Sequence, residues 1–75
     1  MSRMPTITAA ELVRFLKAQG FVEDRQRGSH LTLWHGERKV AATVPLHSGT
    51  DLGRGLTKRI LKDAGFSQDD YLNWK

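Results

Sequence analysis

Apolar residues recur along this chain in two rhythms. Leu12, Val13, Phe15 and Leu16 fall at helical spacing behind Thr8-Ala9-Ala10-Glu11, which has the spacing of a capping box with Thr8 as N-cap. Gly20 stops this helix, because glycine enters the left-handed conformation cheaply, so the pattern predicts a helix over about residues 9–19. The rhythm then shortens to two. Phe21–Arg25 is a strand candidate, Gln26-Arg27-Gly28-Ser29 a tight connection, and His30–Trp34 alternates as a strand with one buried face should. Gly36-Glu37 reads as a hairpin turn, and Lys39–Val44 is a third strand ended by Pro45. Three short runs with short turns imply an antiparallel meander. Leu46 to Leu52 reads as a loop. Helical spacing returns with Leu56, Ile60, Leu61 and Ala64, which predicts a second helix over about residues 54–64, stopped by Gly65. Ser67 caps a last short helix through Tyr71, Leu72 and Trp74.

The order is α-β-β-β-α with a short C-terminal helix: an α+β domain whose two main helices cover one face of a three-stranded antiparallel sheet and leave the other open. Leu31 and Leu33 share one side of the middle strand, with His35 on that side, and His30, Thr32 and Trp34 share the other. In the next strand Val40, Ala42 and Val44 oppose Lys39, Ala41 and Thr43. With the aliphatic sets against the helices, His30, Trp34 and Lys39 point outward. An outward tryptophan on so small a domain suggests a contact surface.

Length and composition narrow this picture. The 75 residues form one domain, 1–75, with 39% hydrophobic and 27% charged residues and no apolar run long enough to span a membrane. No secretory signal is visible at the start, so a cytoplasmic location and no membrane partner are expected. The chain has no cysteine, so neither disulfides nor thiolate ligands hold it together. Twelve Lys/Arg against eight Asp/Glu give +4, and the basic excess lies before residue 67. Such a body suits a polyanion such as RNA or DNA.

The candidate chemistry is sparse. The three histidines, His30, His35 and His47, show no metal-ligand spacing with each other or with a carboxylate, so no metal site is expected. No phosphate loop or dinucleotide fingerprint occurs, and no cofactor is expected. What remains is Gly28-Ser29-His30, where a turn enters a strand. Glycine lets backbone approach a ligand closely. Histidine, with an unperturbed pKa near 6.5, can take or give a proton at neutral pH. Arg25, Arg27 and Lys39 are expected nearby as phosphate contacts. That set suffices for metal-free RNA cleavage through the 2′-hydroxyl, with a basic neighbour stabilising the developing charge. His47 reads as an RNA contact or a loop residue bonded to backbone, and His35 as structural. On the second helix, Arg54, Lys58, Arg59 and Lys62 line the polar faces, with Lys58 and Lys62 one turn apart, a spacing that can straddle phosphates.

Taken in order, Gly20-Phe21, Gly28-Ser29-His30, Thr43-Val44-Pro45-Leu46-His47, Leu52, Gly55 and Ile60-Leu61-Lys62-Asp63-Ala64-Gly65 resemble the HicA toxin family, also called YcfA-like, from about Thr8 to Leu72. The resemblance implies a double-stranded-RNA-binding-domain-like fold and a ribosome-independent mRNA interferase. It implies His30 as catalytic residue, Gly28 as the glycine of the same motif, and a HicB-type antitoxin that covers the active face. The expected RNA contacts are then Arg25, Arg27, Gly28, Ser29, Lys39, His47, Lys58 and Lys62. Trp34 and His30 are the expected antitoxin contacts, and the toxin alone is not expected to bind DNA. Two positions depart from the family pattern. A Gly-Thr pair often opens the second helix, where this chain has Gly55-Leu56 with Thr57 one residue later. Leu31 stands where a polar residue or second histidine is frequent. The alternative reading is a non-catalytic double-stranded-RNA-binding module gripping backbone through Lys58, Arg59 and Lys62. A protein-interaction domain using Trp34 is a third.

Overall fold

A computed structural model describes residues 4–46 and 51–75. The elements are β1 (Ile7–Thr8), α1 (Ala9–Ala18), β2 (Val22–Arg27), β3 (His30–His35), β4 (Val40–Pro45), β5 (Asp51–Leu52), α2 (Arg54–Asp63) and α3 (Gln68–Trp74). The capping box forms. Thr8 stands in extended backbone, its hydroxyl accepts the Glu11 amide at 3.2 Å, and Glu11 accepts the Thr8 amide at 2.9 Å. Ser67 and Asp70 make the same reciprocal pair at the start of α3.

Both long helices end alike. Gly20 has φ +102° and Gly65 φ +91°. The Gly20 and Gly65 amides donate to Lys17 and Lys62, and the Phe21 and Phe66 amides donate to Leu16 and Leu61. This is the Schellman pattern, twice, with a Gly-Phe pair each time. Neither glycine has room for a side chain. A Cβ at Gly20 would lie 2.8 Å from His35 Nε2, and one at Gly65 would lie 2.5 Å from Arg38 Nη2.

Strands β2, β3 and β4 form the antiparallel meander in that order. Its inner face presents Leu31, Leu33, Ala42 and Val44, all buried against Leu12, Phe15, Leu16, Ile60 and Leu61 of the helices. With a shortest Cα extent of 17 Å, the domain has room for one sheet and one helix layer. Phe15 is the aromatic hub: Phe66, Tyr71 and Trp74 meet its ring edge-on at 5.2–5.4 Å. Helix α3 thus closes the end of the core.

Four expectations need correction. Strand β2 runs to Arg27, and the β2–β3 connection is only Gly28-Ser29. Gly28 takes φ +55°, and of the two central residues it alone has positive φ, as a type II′ turn requires. Lys39 does not begin the third strand. It sits in the four-residue turn 36–39 with φ +54°, its amide bonded to His35 O, and β4 starts at Val40. On α2 the buried stripe is Thr57, Ile60, Leu61 and Ala64, while Leu56 is exposed. Thr57 can be buried because its hydroxyl donates to Gly53 O at 3.0 Å, which satisfies it within the helix. Finally, part of the expected 46–52 loop is strand: β5 pairs antiparallel with β1, Ile7 opposite Leu52. A two-residue ladder is too short to leave a periodic trace. Residues 47–50 of that segment, including His47, lie outside the described residues.

Candidate active site

The uncovered face of the sheet is organised in three cross-strand rows. Arg27, His30 and Pro45 form one, Arg25, Thr32 and Thr43 the next, and Val22, Trp34 and Ala41 the third. Paired residues of an antiparallel sheet point to the same side, so each row is a strip of surface. The first two rows enclose an open pocket of about 310 Å³ lined by Arg25, Arg27, His30 and Thr32. His30 is the first residue of β3, held between Arg27 and Pro45 and exposed on the face away from the helices. The Thr32 and Thr43 hydroxyls join across the strands at 3.2 Å.

A β-bulge composes this surface. The register shifts between Glu23 and Arg25, and Asp24 has no partner on β3. Simple alternation would put Glu23 on the face of Arg25 and Arg27, a carboxylate beside two guanidiniums. The extra residue instead turns Glu23 to the side of Leu33, where Lys17 of α1 bonds its carboxylate, and brings Val22 into line with Arg25. Two planar guanidiniums then face the pocket with no acid among its lining residues, an arrangement suited to bidentate phosphate contact.

Of the expected site residues, Arg25, Arg27 and His30 come together in the pocket. Gly28 and Ser29 form the turn at its edge, and Ser29 O accepts the Leu46 amide, which ties that turn to the end of β4. Lys39 does not lie beside His30. His30 pairs with Pro45 and His35 with Val40, so Lys39 stands at the opposite end of the hairpin, about 17 Å away at 3.4 Å per residue. Lys58 and Lys62 are exposed on α2 and do not line the pocket. Trp34 points outward as expected, 40% exposed, two rows from the pocket end of the sheet.

The other described histidine is structural. His35 Nδ1 accepts the Arg38 amide at 3.1 Å, so Nε2 carries the proton and donates to Gln19 O at 3.0 Å. Phe21 packs edge-on against its ring. Two residues were not legible as site or scaffold in the sequence. Thr32 enters the pocket, for which its outward alternation was the only signal. Arg38 is not a free cation: it lies 4.6 Å over the Phe66 ring and donates to Gly65 O at 3.2 Å, pinning the β3–β4 turn to the end of α2. No motif announces that contact. Among the described residues no group of three His, Cys, Asp or Glu could hold a metal ion, and no helix is long and apolar enough to cross a membrane.

Fold and site together define a small one-sided α+β domain that displays a histidine beside two arginines on a bare sheet. The chain belongs to the HicA toxin family: it matches the family model for the HicA toxin of bacterial toxin–antitoxin systems over residues 9–66, more than three-quarters of its length. It is therefore the toxin of such a system, and its partner is an antitoxin. The match covers α1 through the Gly65-Phe66 stop of α2, and α3 lies beyond it. No curated protein sequence matches the chain.

Proposed function

We propose that this toxin is an endoribonuclease, an mRNA interferase acting in the cytoplasm, with residues 1–75 as its single domain and His30 as its proton carrier. The convergence of His30, Arg25 and Arg27 on one pocket supports this reading, in a chain that belongs to a toxin family. The scissile phosphate sits against the two guanidiniums. The 2′-oxygen attacks phosphorus, the bond to the 5′-oxygen breaks, and the products end in a 2′,3′-cyclic phosphate and a 5′-hydroxyl. His30 removes the 2′-hydroxyl proton or supplies one to the 5′-oxygen, and water carries the other. Arg25 and Arg27 stabilise the charge that builds on the non-bridging oxygens. These steps call only on side chains and water, so cleavage is expected to persist in EDTA. Gly28, Ser29, Lys58 and Lys62 are further RNA contacts, the lysines from outside the pocket. A HicB-type antitoxin neutralises the toxin by covering His30 and the open face.

Replacing His30 by Ala lowers cleavage of a single-stranded oligoribonucleotide by about 10²–10⁴-fold, the usual worth of one acid–base group. It also relieves growth arrest, with an unchanged circular dichroism spectrum. A substrate with sulfur in place of the 5′-oxygen needs no protonated leaving group. It is cut as fast by H30A as by the wild type if His30 is the acid. Full cleavage of ordinary RNA by H30A overturns the assignment, and RNA that is bound but never cut by the wild type makes this a binding module.

A further inference from the structure

We propose that Trp34 is a base-stacking subsite for an unpaired nucleotide of the RNA held at His30, which makes single-stranded RNA the substrate this surface selects. The inference rests on the ribonuclease reading above. Trp34 stands on the same face and the same strand as His30, four residues along β3. That separation is about 14 Å at 3.4 Å per residue. A stacked strand advances about 3.4 Å per nucleotide and a stretched one more, so two to four nucleotides span the gap. The indole is 40% exposed, and its row neighbours are Val22, 59% exposed, and Ala41, also exposed. No charged residue shares that row. Gly36 adds no side chain over the ring: a Cβ there would only touch Nε1 at 3.9 Å.

The order of chemistry along the face carries the argument. At one end are a guanidinium and an imidazole, in the middle a second guanidinium beside a pair of hydroxyls, and at the other end a flat aromatic ring in an apolar row. A single-stranded nucleic acid matches that sequence of groups, with phosphate at the arginines, ribose or base edges at Thr32 and Thr43, and a base face on the indole. A duplex cannot, because its base faces are already stacked inward and only its backbone and grooves are offered.

The test uses the full chain with Trp74→Phe, so that Trp34 is the only tryptophan, and His30→Ala, so that RNA stays whole. Titration with a single-stranded oligoribonucleotide should quench Trp34 emission to saturation. The same sequence closed into a duplex should not. In the H30A background, Trp34→Ala should weaken single-strand binding about 5- to 150-fold, the worth of one stacked base, and Trp34→Phe should retain most of it. Unchanged emission when anisotropy shows the single strand bound overturns the proposal. So does equal quenching by duplex, or quenching by the cognate antitoxin and not by RNA, which would make Trp34 a protein anchor. The ribonuclease reading fails separately, through undiminished cleavage by H30A with the tryptophan intact.

Discussion

Gly20 and Gly65 each meet two demands at once. Their φ values of +102° and +91° close the Schellman turns, and the absent side chains leave room for His35 and Arg38. Gly28 meets only the first, since its φ is +55° and nothing lies within 4 Å of a Cβ built there. An alanine in left-handed backbone costs about 1–2 kcal/mol. Gly28→Ala should lose about that much in urea denaturation. Gly20→Ala should lose clearly more, because the His35 imidazole must leave the Gln19 carbonyl it now bonds. Equal losses would mean that the His35 contact contributes nothing. The comparison also separates the two described histidines: His35 is committed to backbone on both nitrogens, and His30 faces an open pocket.

At the scale of elements, helix α1 depends on its first turn. The Thr8 amide bonded to Glu11 is the chief cause holding that carboxyl below its ordinary value of 4.5; desolvation, next in size, opposes it, and the Thr8 hydroxyl and the charges of Lys75 and Arg14 add smaller downward contributions. A carboxyl with a lowered folded pKa contributes stability that is complete above its unfolded value and lost as pH falls through the folded one. Thermal stability should therefore hold from pH 7 to above 5 and decline below about 4.5 as this group protonates. Glu11→Gln, which can still reach back but does not titrate, should show a shallower decline over the same interval. Strand β2 is built the opposite way, with every residue exposed and its register set by the Asp24 bulge. Its charged side chains suit an edge that must not pair with other chains.

For the whole molecule, one face is spent on the core and the other is bare, so a ligand's affinity depends on what the bare rows carry. If Arg25 and Arg27 each neutralise a phosphate, the slope of log affinity against log salt for single-stranded RNA should fall by about 0.7 for each arginine changed to Ala. A slope that does not move would place the phosphates elsewhere, for example along Lys58 and Lys62. Much of the architecture was legible beforehand. The Thr8–Glu11 capping box, the helical spacing of apolar residues, the glycine stops and the alternation of β3 are local signals, and they located both long helices, the meander and the outward position of His30 and Trp34. The Leu56–Thr57 exchange was not legible, because a threonine that bonds its own helix carbonyl buries as readily as a leucine. The β1–β5 pair was not legible either, being short and distant in sequence.

The amino-acid sequence by itself determined the order of elements, where the helices stop and which side of β3 faces inward, because capping, glycine conformation and side-chain alternation act within a few residues. Only the tertiary structure decided the company His30 keeps. Strand register carried Lys39 to the far end of the hairpin, and the bulge turned Glu23 away from the arginines. The packing of Arg38 on Phe66 withdrew one more cation from solution. Those outcomes depend on pairing between segments, which no local pattern of hydrophobic and polar residues encodes.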